Sequence, residues 1–572
     1  MLGAEAVVHS LVEAGVSHVF GQPGIEICPL IQGLCDIAPH LPFTLARRED
    51  NACHMASGYA MQSGKAVAVM VSAGASAVIS GIITAYHNQV PMVVIAGQVK
   101  ELGQNHVNDS DLSGCLGNFV KERYLLQSVE EIPRVIAEAI YLSSTGRTGP
   151  VLVEIPEDLQ VAELESFVYP EKLSLSAYSG TGGEKDFQIK RAVSLFQNSK
   201  QPVLCIGKGV SSFSKKIRNF AEKHNLPVVC TMTGLGVFPT DHPLFLGVLG
   251  SLGSAREVAF QESSLLLVMG ADLLSYLHCK ELQDLKDVIV LSPEGVTLPL
   301  PQVLPLVGQV KDVLTQFSKA LTAEAVHPQH THLQNLRKEE LLAPKVCHGI
   351  HPANFFRRLG MKMNEDAVLC VDLGLQQKMA SQYLYFYEKT SFITSDSVTS
   401  KGFALPCAIG AKLAKPKRQT FAVCGDGSFQ RSFAELSSIL SENLDIKIIL
   451  FQNHVLGATY QAQKSSYGKA SHTELSGEPE YLILAQAYGI PAGRITQEDE
   501  VDLALNYFLE ESGTQLLIVE IGKDITEGKI SDSKTTLDLL ADLEREHNES
   551  QTEDVPTVET GLKITIEEEG GI

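Results

Sequence analysis

The chain has 572 residues, 44% of them hydrophobic and 20% charged, with a net charge of −21. That length exceeds what a single core organises and suits about three domains. The acidic balance argues against nucleic acid as a partner, and no run of about 18 apolar residues suggests a membrane span. Eleven cysteines from Cys28 to Cys424 form no Cys-x-x-Cys pair, which reads as buried free thiols in a reducing, cytoplasmic compartment rather than as a zinc or redox motif.

In chain order, Ala4–Ala14 has helical spacing, and Met1–Val16 lacks a basic start before an apolar block, so it reads as a first domain helix. His18-Val19-Phe20 reads as a short strand, Gly21-Gln22-Pro23-Gly24 as a turn, and a helix is expected from Ile27. A strand near Phe43-Thr44-Leu45, a helix over Asn51–Gln62 and strands at Ala66–Val71, Met92–Ala96 and Val151–Ile155 complete an α/β unit, residues 1–165. Glu165–Lys185 reads as a linker. A second α/β unit, residues 185–322, contains the strands Pro202–Gly207, Pro227–Cys230, Leu265–Gly270 and Val288–Leu291, and Glu324–Lys345 reads as a second linker. The third unit, residues 346–530, opens near His351 and runs through Ala367–Val371 to Leu516–Ile521. Residues 531–572 carry twelve acidic and three basic residues, a net of −9, and read as a solvated acidic tail.

Within the third unit the buried strand Thr420–Cys424 leads into Gly425-Asp426-Gly427-Ser428, with a helix expected over Phe433–Leu440. A second strand, Ile446–Phe451, is apolar apart from Lys447 and ends at Gln452-Asn453, twenty-seven residues after the aspartate. Two strand ends of this kind can bring two oxygen ligands to one Mg²⁺ beside a diphosphate, with the Gly427 and Ser428 N–H groups near a helix N-terminus. An ordinary Asp-Gly turn is the alternative.

In order along the chain, the motifs are Phe20-Gly21-Gln22-Pro23-Gly24, Arg47-Arg48-Glu49 with His54–Ala60, and Gly81–Tyr86 leading to Pro91 and Gly97-Gln98. They continue with Gly234-Leu235-Gly236, His242-Pro243, Lys401–Pro406 with Ala408-Ile409-Gly410, and Gly425–Ser428 with Asn453. Each is weak alone, but in this order, over residues 3–525, the chain resembles the thiamine-diphosphate enzymes of the acetolactate synthase and benzoylformate decarboxylase type. The resemblance implies three consecutive doubly wound parallel-sheet domains: pyrimidine-binding, central and diphosphate-binding. It also implies a cofactor held between the first domain of one subunit and the third of another, hence a homodimer or a dimer of dimers.

By the same resemblance, Glu49 holds the ring nitrogen of the cofactor's aminopyrimidine and assists ylid formation, since a carboxyl withdrawn from water can share a proton with that nitrogen. Asp426, Asn453 and the Val455 carbonyl carry over as Mg²⁺ ligands, although Gln452 stands where the family has Asn. Gly24, Gly374, Gln376, Thr399, Gly402, Gly425, Gly427, Ser428, Val455 and Leu456 carry over to cofactor contacts. The carbanion chemistry belongs to the cofactor, and the protein orients it and excludes water.

Departures from the family fall at the substrate. Lys401 replaces the bulky apolar residue under the bent cofactor, and could bury its stem, pair with a substrate anion or disfavour the thiazolium cation. Leu375-Gln376 removes an expected imidazole, Ile25 replaces a serine, and Ala77 replaces an asparagine of the Gly-Pro-Gly-Ala-Thr-Asn loop. Asn108 and Lys121 occupy the region where synthases place substrate-facing groups, with a polar surface loop as the alternative, and His54 and His87 read as structural. Gly250–Ala255 resembles a flavin-binding loop, but Leu273 replaces its arginine and Leu291-Ser292-Pro293 its acidic strand end, which argues against bound FAD. The implied activity is decarboxylation of a 2-oxo acid with possible carboligation. The alternatives are a 2-hydroxyacyl-thioester lyase, for which Lys208 and Arg256 are too few to make a basic nucleotide pocket, and a non-catalytic scaffolding or regulatory relative.

Overall fold

A computed structural model of the chain describes residues 1–525 except 38–40, 73, 75, 99–111, 171–172, 174–185, 251–253, 274–275, 277–286, 295–301, 322–329, 342–348, 388–390 and 396–400. The acidic tail, Thr399 and Asn108 therefore lie outside the described residues. The described chain builds three six-stranded sheets. The first comprises β1 (Val19–Gln22), β2 (Phe43–Leu45), β3 (Val67–Val71), β4 (Met92–Gln98), β5 (Arg123–Leu125) and β6 (Pro150–Pro156). The second comprises β7 (Val203–Ile206), β8 (Val228–Cys230), β9 (Phe245–Val248), β10 (Leu265–Met269), β11 (Asp287–Ser292) and β12 (Val303–Val307). The third comprises β13 (Val368–Val371), β14 (Ser391–Thr394), β15 (Thr420–Gly425), β16 (Lys447–Gln452), β17 (Ala492–Ile495) and β18 (Gln515–Glu520).

Every neighbouring pair is parallel. Parallel sheets are covered on both faces, so their strands are continuous apolar runs instead of alternating ones; every residue of β3 and β10 is buried. The one cation in the apolar run of β16, Lys447, is buried, and its ammonium donates to the carbonyls of Glu511 (2.5 Å) and Gly513 (2.8 Å). That satisfies a charge that burial alone would make costly.

The first and third sheets share one topology, β2-β1-β3-β4-β6-β5 and β14-β13-β15-β16-β18-β17, whereas the central sheet runs β9-β8-β7-β10-β11-β12. In such sheets ligands collect beyond the carboxyl ends of the strands, where the strand order reverses. At that point in the central sheet the loops after β7 and β10 are in contact, for a Cβ on Gly207 would fall 2.3 Å from the Gly270 carbonyl oxygen.

The first and third units meet through two helices, Glu49–Ser63 and Ala404–Ala414. A Cβ on Gly58 would lie 1.9 Å from the Cys407 carbonyl oxygen, and one on Gly410 1.7 Å from that of Met55. Only hydrogen fits at either crossing point, which is why each helix carries a glycine in its interior despite the propensity cost. Around that contact one apolar cluster joins Ala56, Tyr59 and Val78 to Phe403, Cys407 and Phe429.

One expected linker is a helix instead. Thr331–Glu340 is helical, with Leu333 and Leu336 packed on the cluster of the central sheet. Two apolar residues three apart suffice to seat a polar helix when a neighbour offers a surface.

Candidate active site

At the carboxyl end of the third sheet, Asp426 begins a helical turn, Asp426–Phe429, directly after β15, ahead of the helix expected from Phe433. Its carboxylate is 4% exposed. Oδ1 accepts the Gly427 N–H (2.8 Å), and Oδ2 accepts those of Asn453 (2.9 Å) and His454 (2.7 Å) at the end of β16. The parallel register that sets Gly425 beside Phe451 brings these two strand ends together. Burial pushes the Asp426 pKa up, while the N–H bonds from Asn453, His454 and Gly427 oppose it. Since a carboxylate offers about four acceptor positions, three bonds leave room for a cation.

Next to it the Asn453 side-chain oxygen accepts the Val455 N–H at 3.2 Å, and the Leu456 N–H donates to Thr473 at 2.7 Å. Val455 and Ser428 are buried, and a Cβ on Gly427 would come within 3.2 Å of Leu456. His454 takes φ +61° and sets its Nδ1 2.8 Å from Glu478, which also accepts from Gln452 (3.1 Å). A cavity of about 650 Å³ opens here, lined by Gln452, Asn453, His454, Glu474, Glu478 and Lys523 among others. Glu478 was missed in the sequence, because a carboxylate in the turn-like stretch Ser476-Gly477-Glu478-Pro479-Glu480 looks like any exposed loop acid.

Beside this group, at the tip of β13, Gly374 takes φ +139° and Gln376 donates to the carbonyls of Asp372 (3.2 Å) and Leu373 (3.0 Å). Gln376 also lies against Gly425, where a Cβ would be 3.3 Å from its amide nitrogen. Asp372 is fully buried, and its Oδ1 accepts the Ala404 N–H at 3.1 Å, at the start of the helix Ala404–Ala414. Its Oδ2 has no hydrogen-bond partner, the Cys424 thiol lies beside the carboxyl, and burial pushes the group up to about 7. Gly402 is buried at φ +89°, while Lys401 next to it is exposed.

The first sheet carries the other candidates. Glu49 is the first residue of the helix Glu49–Ser63, half-buried, and its neighbour Arg48 pairs with Asp50 at 3.0 Å, not with Glu49. Gly24 follows β1 and packs on Ser72 beyond β3, where a Cβ would meet the serine Cβ at 2.3 Å. Ile25 beside it is 79% exposed, and Ala77 stands at the N-terminus of the helix Val78–His87. Glu49, Gly24, Ile25 and Ala77 thus gather beyond β1, β2 and β3, and the Asp426 group beyond β13, β15 and β16.

Lys121 is engaged within its own domain. Its ammonium donates to the carbonyls of Leu142 (2.5 Å) and Thr145 (2.6 Å), capping the C-terminus of the helix Ile132–Ser144. There a cation answers unpaired carbonyls and the negative end of the helix dipole. His54 is fully buried edge-on to Phe403 at 5.2 Å, and burial lowers its pKa to about 4, which keeps it neutral. Arg256 is also buried, donating to the Val248 carbonyl at 3.1 Å, and Lys208 reaches the Asn88 carbonyl at 3.4 Å.

Three family models match the chain in sequence: the thiamine pyrophosphate enzyme N-terminal TPP binding domain over residues 1–115, the central domain over 189–317, and the C-terminal TPP binding domain over 372–519. The chain is 33% identical to the acetolactate synthase large subunit of Haemophilus influenzae over 546 residues, covering 92% of this chain and 95% of the relative. It is 31% identical to the acetolactate synthase isozyme 3 large subunit of Escherichia coli over 551 residues, with 92% and 95% covered. A probable acetolactate synthase large subunit of Methanocaldococcus jannaschii is 32% identical over 545 residues, with 91% and 92% covered. The chain belongs to the thiamine pyrophosphate enzyme family, and it is a thiamine-diphosphate-dependent enzyme. Among the described residues no helix is long and apolar enough to cross a membrane.

Proposed function

We propose that this enzyme decarboxylates a 2-oxo acid and joins the retained fragment to a second carbonyl compound, as an acetolactate synthase does. The observation that carries this reading is the Asp426 carboxylate, caged by three N–H groups next to the Asn453 amide oxygen, in a chain that also keeps Glu49 at a helix start. The acetolactate synthase relatives favour it over the thioester lyase and the non-catalytic subunit.

The donor set suits Mg²⁺, a small hard cation that takes oxygen ligands and keeps positions for phosphate and water. Asp426, Asn453 and the Val455 carbonyl would hold the metal, with the Gly427 and Ser428 N–H groups and Leu456 against the diphosphate. Gly374, Gln376, Gly402 and Gly425 would shape the floor, and Thr399 and Gly24 complete the cofactor contacts. When bound, thiamine diphosphate supplies the carbon nucleophile and the electron sink. The Glu49 carboxyl would hold a proton against the aminopyrimidine ring nitrogen. Ile25, Ala77, Asn108 and Lys401 would face the substrate, with the Lys401 ammonium available to a carboxylate.

Because the Glu49 group and the Asp426 group end different sheets, the reading includes a homodimer or dimer of dimers with each site shared between subunits. Ile25, 79% exposed next to Gly24, suits a surface that a partner covers. The reading leaves FAD out, since Leu273, only 2% exposed, stands where flavin-binding relatives carry an arginine. A cytoplasmic location goes with the nine free cysteines of the described residues.

The test is proton exchange at the thiazolium carbon of added thiamine diphosphate with Mg²⁺, followed by a CO₂-release screen over 2-oxo acids. Wild type should exchange fast and Glu49→Gln should bind cofactor yet exchange slowly. Equal rates would remove Glu49 from the mechanism, and normal exchange without CO₂ from any acid would move the reading to the thioester lyase.

A further inference from the structure

Glu435 is fully buried, nine residues after Asp426, and is the one charged residue of the stretch Phe433–Leu440. Its carboxylate leaves its own domain to bond the chain around Glu49. Oε1 accepts the Arg47 N–H at 2.9 Å and the Asn51 side-chain amide, also at 2.9 Å, and Oε2 lies 3.2 Å from the same Arg47 nitrogen. One turn further on, the Ser438 hydroxyl lies 3.0 Å from the Leu45 carbonyl oxygen and 2.8 Å from Glu435 Oε2. Residues 45, 47 and 51 are thus anchored to the third domain, and Glu49 sits inside that interval.

From this geometry we infer that Glu435 is a positioning residue for Glu49. Its carboxylate oxygens are taken up by Arg47, Asn51 and Ser438, so it fixes the backbone before Glu49 and the side chain two residues after it. Burying a carboxylate is costly unless its lone pairs are filled, and here Arg47 and Asn51, from one short segment of the first domain, fill them together with the nearby Ser438 hydroxyl. A packing role alone would be met by an apolar side chain in this cluster. Burial raises the Glu435 pKa, while the Asn51, Ser438 and Arg47 bonds oppose that rise, which accords with donors that stabilise the charge. The inference rests on the proposed role of Glu49. Since a displacement of about 1 Å at a reacting group can cost roughly 100-fold, loss of the brace should show in the proton-transfer step.

The experiment uses the full chain. With thiamine diphosphate and Mg²⁺, Glu435→Ala should slow thiazolium proton exchange by about 10- to 100-fold at saturating cofactor, with cofactor affinity little changed. Glu435→Gln should restore most of the rate, because its amide oxygen still accepts from Arg47 and Asn51 and its NH₂ still meets Ser438. Without cofactor, hydrogen–deuterium exchange at the Arg47 amide should quicken in Glu435→Ala and not in Glu435→Gln. If Glu435→Ala does not fold, Asn51→Ala replaces it, with an expected slowing of about 3- to 10-fold. Wild-type exchange in the alanine variant, a loss that follows cofactor occupancy alone, or a glutamine variant as slow as alanine would each overturn the inference. An unaffected Glu49→Gln would sink the proposed function instead, so the two failures are distinguishable.

Discussion

The first and third domains are wound on the same strand order, yet their strand ends do opposite work. In the third, a carboxylate is taken out of water and caged: Asp426 is 4% exposed and receives three N–H groups from two adjacent strand ends. In the first, Glu49 opens a helix, half-buried, and the charge beside it is absorbed by the Arg48–Asp50 pair. One frame thus supplies an electrostatic anchor that is complete within the chain. The other presents a carboxyl whose place is set by backbone contacts and which, on the proposed reading, is completed by a partner subunit. The central domain has a different strand order, and the loops at its switch point touch at Gly207 and Gly270.

That contrast can be broken at either end. Glu49→Gln should keep cofactor binding and lose about 10²- to 10⁴-fold in the proton-transfer step, the range for general acid–base groups; a loss of binding with normal exchange would merge the two roles. Asp426→Ala should do the reverse, weakening Mg²⁺-supported cofactor binding by about 100-fold while saturating cofactor restores turnover. Titration of cofactor into both variants by calorimetry separates them.

The frames themselves are joined at Gly58 and Gly410. Gly410→Ala forces a Cβ to within 1.7 Å of a carbonyl oxygen, so thermal unfolding should show a loss of about 3 kcal/mol, larger than for alanine at a surface glycine such as Gly64. Asp372 sharpens the third domain's side. Its folded pKa, about 7, lies above the unfolded value, so its contribution to stability is present below about pH 4 and lost as pH rises through 7. Between pH 5 and 8 wild type should lose roughly 2 to 3 kcal/mol that Asp372→Asn does not lose, read from denaturant melts at several pH values. The smallest effect belongs to the first domain: Lys121→Met should cost about 1.5 kcal/mol of stability through two carbonyls left without a cation, with substrate KM unchanged. A raised KM would return Lys121 to the substrate side.

The three α/β units were legible because parallel strands buried on both faces leave long apolar runs, as in β3, β10 and β16. The Asp426 and Asn453 pair could be read for a related reason, since each residue ends such a run and glycines mark the tight approach. The carbonyls that hold Lys121 were not legible, because a lysine in a polar loop carries no sign of which ones it will find. The helix Thr331–Glu340 was hidden because its two seating leucines gain meaning only from the surface beneath them. Glu435 and Glu478 left even less trace. A buried carboxylate is tolerated only by donors that come from elsewhere, and those donors, Arg47 and Asn51 for Glu435, lie nearly four hundred residues away in sequence.

The sequence by itself determined the fold class, because strand burial is a local property, and its ordered motifs carried the resemblance to one cofactor family. Only the tertiary structure decided which carboxylates are caged and which are presented, that two helices meet at bare glycines, and that the chain around Glu49 is anchored from the third domain. Those outcomes depend on which distant groups satisfy a charge once water is gone, a choice made when the sheets pack.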